Sequence, residues 1–518
     1  MSKEIIKFSL AIVGVITAWM MVVPVFEFPD EQAHFGSVSY LISHNSMPVY
    51  DKQDLTIEMA ETQKLLGVFR SDMGQNRYTY HPEYHPEYTG TNIGLYEEEI
   101  KSLNTVQNRD SYVGSEAAKY PPLYYLLGSI YARLVNQSDI ITRVFVTRLV
   151  NLDIALLMAI VIWNIGILIF NNKIYAKLLT FMVMLQPMMS FVTAGINSDN
   201  LHNLLFFLIL YLGLRLIRYE LKIQDLLLLV VVIGLDIYTK PQGFIGIAVA
   251  GLSVLLAVVR SRKWKMLGWI GVIGLGAIVF GASQWEIYRG LFSVGNTHGA
   301  TFVEYLRFSA NKLVAQNVVW YWGVFKWLGV VLPAIYWRVA NRIVLVSVIG
   351  FAIYWFKVWR KKSDKPIADP YSMFFMFTAS ILYALVIFWY DWQHTKQNGY
   401  SLGIQARYFF PTIVAQMTLL MTGILSFAWN VRSRQWLRTA LISIFLWLQL
   451  GGIWRIITIY YPGKNLPDII TMASQYKPEF AKGEWWYLWV LVYGVSLIYL
   501  IRTSLFRGKS GVKEPYHR

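Results

Sequence analysis

Apolar runs of about 15–26 residues, most near the length that crosses a bilayer, recur from one end of the chain to the other. The first extends from Phe8 to Phe26 behind a short basic head, Lys3 and Lys7. It ends in Val25-Phe26-Glu27-Phe28-Pro29, without a small-residue cleavage site, which predicts an uncleaved first helix rather than a removed leader. Further runs fall near 145–170, 178–195, 201–217, 225–239, 241–259, 266–285, 343–359, 371–391, 406–429, 436–457 and 485–503. The pattern predicts an all-α polytopic membrane protein of about 12 spans (about 11–13). Two stretches are left open as full crossings. The segment 121–136 is short, begins Pro-Pro and carries Arg133, so it reads as a juxtamembrane or re-entrant helix. The segment 320–337 is rich in the Trp and Tyr that favour membrane interfaces. No internal repeat is evident, which counts against an inverted-repeat transporter.

These boundaries divide the chain into a first helix (1–26), a large loop with juxtamembrane helices (27–144) and a helical bundle (145–285). A second non-membrane segment (286–342), a C-terminal bundle (343–503) and a tail (504–518) follow.

Composition agrees with the pattern. Of 518 residues, 55% are hydrophobic and 15% charged, against about 25% charged in soluble domains. The net charge of +16 is not a nucleic-acid footprint, because the basic residues cluster in short breaks between apolar runs. Examples are Arg260, Arg262, Lys263 and Lys265, then Lys357, Arg360, Lys361, Lys362 and Lys365, then Arg432, Arg434 and Arg438. Such loops lie on the cytoplasmic side, which predicts cytoplasmic N- and C-termini. The basic tail Arg507–Arg518 is expected to meet anionic lipid headgroups. With no cysteine, thiolate catalysis and Cys-ligated metals are excluded.

The first large loop differs from the rest. Between Glu27 and Asp139 it holds 16 of the chain's 31 acidic residues, and it includes the tandem His81-Pro82-Glu83-Tyr84 and His85-Pro86-Glu87-Tyr88. The first span delivers this loop to the extracytoplasmic face, where the chemistry is expected.

Pro29-Asp30-Glu31-Gln32-Ala33-His34 follows the first span directly. If Pro29 opens a helix, Asp30 and His34 share a face, as a base with an orienting partner or as two metal ligands. A plain acidic helix start explains the same residues. Lys119-Tyr120-Pro121-Pro122-Leu123-Tyr124-Tyr125 closes the loop with interfacial tyrosines. Asn197-Ser198-Asp199-Asn200 forms a polar break between apolar runs, either a capped turn or a site for a sugar hydroxyl or a phosphate-associated cation. Lys240, in Thr239-Lys240-Pro241-Gln242, lies on the expected outer side, against the positive-inside trend; it either snorkels or meets a phosphate. Arg407, in Gln405-Ala406-Arg407-Tyr408-Phe409-Phe410-Pro411, has a guanidinium suited to phosphate, with snorkelling or pairing to Asp391 as the alternatives. Walker, dinucleotide, HExxH and GxSxG motifs are absent from the sequence.

Taken together, PDEQAHF, PPLYY, NSD, TK and ARYFFP, in this order, resemble a bacterial membrane family of unknown function with a PDE-x-x-H signature, placed in the GT-C glycosyltransferase superfamily. Where that family often has Gly-Arg-Tyr, this chain has Ala406-Arg407-Tyr408. The resemblance implies a GT-C-like fold and an enzyme that takes a sugar from a polyprenyl-phosphate-linked donor to a glycan or glycopolymer acceptor of the cell envelope. It also implies that the catalytic acid lies in the first outer loop, matching Asp30 with Glu31 adjacent. The superfamily includes metal-dependent and metal-independent members, so it imposes no cofactor and leaves a divalent cation compatible.

The expected site therefore comprises Asp30, Glu31 and His34 as catalytic residues. Lys240, Arg407, Tyr408, Asp199, Asn197 and Tyr124 are expected to bind substrate, with membrane lipids around them. The competing class is a transporter or flippase of a lipid-linked saccharide, in which the same cations hold phosphate and the acids couple to protons. A third is a non-catalytic assembly scaffold.

Overall fold

The computed structural model describes residues 3–49, 55–69, 93–114, 120–219, 222–264, 268, 271–272, 274–276, 279, 299, 301–360 and 366–505. The His-Pro-Glu-Tyr tandem, Lys119, most of the run expected at 266–285 and the basic tail lie outside them.

Among the described residues, nine helices are long and apolar enough to cross a membrane: Lys3–Val22, Ile140–Phe170, Ser198–Arg218, Pro241–Ser261, Ala334–Trp359, Pro370–Asn398, Ala406–Leu425, Val431–Tyr460 and Trp485–Leu505. A tenth forms if Lys173–Met184 and Pro187–Ala194 act as one span bent by 67°. The bend falls where the chain has Gln186-Pro187. Proline supplies no N–H at the first turn, and the extended Gln186 caps that turn from its side chain. The run expected at 225–239 is the 15-residue helix Ile223–Ile237, about 22 Å long at 1.5 Å per residue. That is short of a hydrocarbon core of about 30 Å.

Leu123–Leu134 has 12 residues, or about 18 Å. It packs against the helix Glu31–His44 rather than standing as a span of its own. The stretch 320–337 is also no single helix. A two-residue antiparallel ladder, Val324↔Val331 and Phe325↔Val330, separates Trp320 from the helix that starts at Ala334.

Close helix contacts use small residues, as packing in lipid favours. A Cβ on Gly350 would sit 2.0 Å from the Gly423 carbonyl oxygen, so Ala334–Trp359 and Ala406–Leu425 touch backbone to backbone. The most buried spans are Ser198–Arg218, Lys3–Val22 and Ala406–Leu425. Asn197–Asp199 and Arg407 lie at the ends of these inner helices, and Asp30 follows shortly after Lys3–Val22.

Candidate functional site

Residues 23–30 link the first helix to the helix Glu31–His44, and they are held from behind by one arginine. Arg148 is fully buried. Its Nε and Nη2 donate to the Glu31 carboxylate at 2.8 and 2.7 Å. Its remaining donors reach the carbonyls of Met20 (3.1 Å), Val23 (3.0 Å) and Pro24 (2.8 Å). The guanidinium also lies 4.7 and 4.3 Å from the rings of Phe28 and Phe145. Glu31 accepts further from the backbone N–H of Phe26 (2.9 Å) and Ile196 (3.3 Å). The buried Lys477 ammonium donates to Met21 O (2.8 Å) and Val23 O (3.2 Å). Burial holds its pKa well below the usual lysine range.

This clamp presents Asp30, the residue before the helix, in the left-handed conformation at φ 59°. Asn197 ties the same turn to the next span: its Nδ2 donates to Pro29 O at 3.0 Å, and its Oδ1 caps Asp199 N at 2.8 Å. Gly195 permits the approach, since a Cβ there would meet the Phe28 ring at 2.3 Å. Tyr124 OH accepts from Asn197 N (3.0 Å) and donates to Asn151 Oδ1 (3.1 Å), while Asn151 Nδ2 donates to Gly195 O (2.7 Å).

In front of this scaffold four charged side chains from distant segments converge. Arg407 Nη2 donates to Asp30 Oδ2 at 2.5 Å, and Lys240 Nζ to Asp199 Oδ1. Arg407 Nη1 stands 3.7 Å from Asp199 Oδ2, within ion-pair range, and has no hydrogen-bond partner among the protein atoms. Gln405 Oε1 accepts from Arg407 Nε at 2.8 Å. Lys240 Nζ lies 5.5 Å from the ring centres of both Tyr120 and Tyr408, close enough for cation–π attraction. Two acids and two bases cancel formally, but their exposure differs. The side chains of Arg407, Asp199 and Lys240 are 3%, 7% and 8% exposed, whereas that of Asp30 is 30% exposed. The cations therefore sit inside, and Asp30 forms the open edge.

His34 is buried between Tyr120 and Tyr125, ring centres 5.6 and 5.9 Å away, with Nδ1 2.9 Å from Tyr125 OH. Burial pushes its pKa down to about 4, so the ring is neutral at neutral pH. The same burial raises the Tyr120 and Tyr125 hydroxyls well above the ordinary tyrosine range.

The structure thus brings Asp30, Asp199, Lys240, Arg407 and Tyr408 together. His34 flanks them, and Asn197 and Tyr124 hold the backbone beneath. Glu31 stands apart, occupied by Arg148 and two backbone amides. Asp391, the alternative partner for Arg407, instead accepts from Tyr305 OH (2.8 Å), Ser401 Oγ (2.9 Å) and Leu402 N (2.8 Å). Sequence reading passed over Arg148 and Asn151; Tyr120, Tyr125 and Gln405 stood within its motifs but not among the expected site residues. Arg148 had a signal in being a charge at the head of a long apolar run. Among the described residues no three His, Asp or Glu side chains form a metal-holding group.

No curated protein matches the chain in sequence. Among solved structures it is similar to ArnT from Cupriavidus metallidurans bound to undecaprenyl phosphate, at 11% identity and TM-score 0.43 over 96% of this chain and 77% of that one. It is also similar to the arabinosyltransferase EmbB from Mycobacterium smegmatis, at 9% identity and TM-score 0.41 over 97% and 41% of the two chains. A third is the oligosaccharyltransferase AglB from Archaeoglobus fulgidus in complex with an inhibitory peptide and a dolichol-phosphate, at 12% identity and TM-score 0.35 over 98% and 61%. The family model described as "Predicted membrane protein (DUF2142)" matches residues 13–416, which carry every charged member of the cluster. That match covers most of the chain, and the protein belongs to this family of multi-spanning membrane proteins.

Proposed function

We propose that this protein is a membrane glycosyltransferase that moves a sugar from a polyprenyl-phosphate donor to an acceptor hydroxyl at the extracytoplasmic surface, with inversion at the anomeric carbon. One observation carries the reading: two buried cations, Arg407 and Lys240, meet around Asp199, and Arg407 also holds Asp30, the most exposed acid of the cluster, at its open edge. The GT-C resemblance of the sequence motifs points the same way.

Arg407 is paired with Asp30. A carboxylate held by a guanidinium is a poor base, because the pairing favours its charged form. When the donor phosphate enters, Arg407 and Lys240 turn to its oxygens, and the guanidinium fork suits them. Asp30 is then released to accept the proton of the acceptor hydroxyl. As that oxygen bonds to the anomeric carbon, the carbon–oxygen bond to phosphate breaks on the opposite face. The departing phosphate gains charge, which the two cations stabilise more strongly in a buried setting than in water. Gln405 steers the guanidinium from its Nε side. The clamp of Glu31 and Arg148 holds Asp30 at the cluster's edge.

The test is covalent. Purified protein in liposomes receives polyprenyl-phosphate sugars and a panel of glycan acceptors, and mass spectrometry follows the sugar. Transfer with release of free polyprenyl phosphate, abolished by Asp30→Asn, supports the reading. Intact donor that merely changes leaflet would replace it with a flippase. Full transfer by Asp30→Asn would remove Asp30 as the base.

A further inference from the structure

Against the ion cluster lies a small pocket that the mechanism above leaves unused. Besides Asp199, Lys240, Arg407 and Tyr408 of the cluster and the apolar Ile387 and Pro411, it is lined by His202, Asn203, Gln242 and Tyr383. These four come from three helices: His202 and Asn203 from Ser198–Arg218, Gln242 from the turn after Lys240, and Tyr383 from Pro370–Asn398.

Asn203 is 1% exposed, and its Nδ2 has no protein partner; nor has Gln242 Oε1. A buried amide left unpaired is costly, so two such groups lining one pocket point to something that pairs them. The aromatic side of the pocket is pre-oriented. Asp236 Oδ1 lies 2.6 Å from His202 Nδ1, which places the ring proton on Nδ1. His202 Nε2 then accepts from Tyr383 OH at 3.0 Å, leaving the oxygen lone pairs of Tyr383 for a ligand. The segment around Lys240 is constrained as well. Lys240 N donates to Asp236 O at 2.9 Å, and a Cβ at Gly243 would meet Asp236 C at 2.6 Å. The segment with Lys240 and Gln242 is therefore pinned to the helix end that orients His202.

The space between these groups, about 10 Å³ for the centre of a water-sized group, is close to the ~10–15 Å³ that one water requires. It fits one hydroxyl, not a phosphoryl group. An anion is also disfavoured by the Gln242 oxygen and the Asp236 carboxylate behind it, which offer acceptors where phosphate needs donors. A hydroxyl suits the set, since it accepts from Asn203 Nδ2 and donates to Gln242 Oε1 or Tyr383 OH. Because Lys240 and Arg407 are shared with the cluster, the hydroxyl belongs to whatever those cations hold. In a glycosyl phosphate the ring carbon beside the phosphate-bearing carbon carries one.

We infer that Asn203, Gln242 and the Asp236–His202–Tyr383 relay form a recognition pocket for a ring hydroxyl of the donor sugar, adjacent to its phosphate. This inference rests on the transferase reading above. It makes Asn203 and Gln242 specificity residues, and Asp236 a positioning residue acting through His202.

The test compares three probes by binding to the purified protein: a short-chain polyprenyl phosphate, the same lipid carrying glucose, galactose or mannose, and the 2-deoxy form of the sugar that binds best. The expected result is that one glycosylated lipid binds more tightly than bare lipid. Asn203→Leu and Gln242→Met should each cut that sugar increment about 10–100-fold, while bare-lipid affinity stays unchanged. The 2-deoxy probe should bind wild type as the full sugar binds the variants. Thermal melting supplies the second readout. If Asn203 serves recognition, Asn203→Leu melts no lower than wild type, because it removes an unpaired buried amide. A lower melting temperature with the sugar increment intact would make the pocket a structural water site and overturn the inference. So would equal binding of all lipids with Lys240-dependent affinity for the bare one, or loss of bare-lipid affinity in both variants. If bare lipid binds without dependence on Lys240 and Arg407, or does not bind, the transferase reading itself falls and the pocket assignment with it.

Discussion

Asp30 and Glu31 are neighbours in sequence, yet they enter two ionic assemblies of opposite character. Glu31 meets Arg148 in a fully buried pair whose donors and acceptors are taken up by carboxylate, carbonyls and amides. Asp30 meets Arg407 in a cluster that is open on one side and retains a donor without a hydrogen bond, Arg407 Nη1. A saturated buried ion pair has nothing left to offer a ligand and acts on the fold. An incompletely saturated one can exchange partners, at the cost of keeping desolvated charge in reserve. The difference turns on one position of chain: Asp30 is the left-handed residue before the helix, and Glu31 is its first turn.

The comparison breaks most sharply at Arg148. Arg148→Met leaves the Glu31 carboxylate buried without its cation and takes the side-chain donor from the Met20 and Pro24 carbonyls, while Val23 O keeps Lys477, so stability should fall by about 3–5 kcal/mol. Melting of the detergent-solubilised protein checks this, and Glu31→Leu/Arg148→Met should recover part of the loss by removing both charges. A near-normal melting temperature for the single variant would deny the clamp its role.

Asp30→Asn should do the reverse. Its side chain is the most exposed of the cluster, so melting should change little while transfer falls about 10²–10⁴-fold. Unchanged transfer would move the base elsewhere.

Lys240→Met and Arg407→Lys should weaken binding of a polyprenyl phosphate about 10–100-fold, the range of one charge-assisted hydrogen bond. Unaltered phosphate affinity would show that these cations serve only to pair with Asp199 and Asp30.

The smallest effect concerns His34. Its pKa is about 4 in the folded chain against an ordinary 6.5, so the unfolded chain takes up the proton first as pH falls. Stability is therefore unaffected above about pH 6.5 and declines as pH drops towards about 4. His34→Gln should flatten that part of the melting-versus-pH curve. An unchanged curve would assign the acid sensitivity to groups other than His34.

Much of this was legible in the chain. Run length and loop charge announced the spans, since lipid demands about 20 apolar residues for a helix that crosses it. Lys240 and Arg407 stood out because a cation beside an apolar run, outside a basic loop, needs a reason. Other features were hidden. Sequence cannot separate Asp30 from Glu31, as both are acids at the same helix start. Tyr124 stood equally with Tyr120 and Tyr125, yet Tyr124 joins the amide network under the turn and the other two enclose His34. The bend at Pro187 divides what reads as one apolar run, and Asp391 proves to be occupied by Tyr305 and Ser401 rather than by Arg407.

By itself, then, the sequence determined the multi-spanning helical class and the residue types available for chemistry. Both follow from local composition and from the bilayer as solvent. Only the tertiary structure decided which charges meet, because Asp30, Asp199, Lys240 and Arg407 are brought together by helices far apart in the chain. Their pairing depends on the angle of one turn and the approach of one glycine. It likewise decided which acid is saturated and which is left at the open edge.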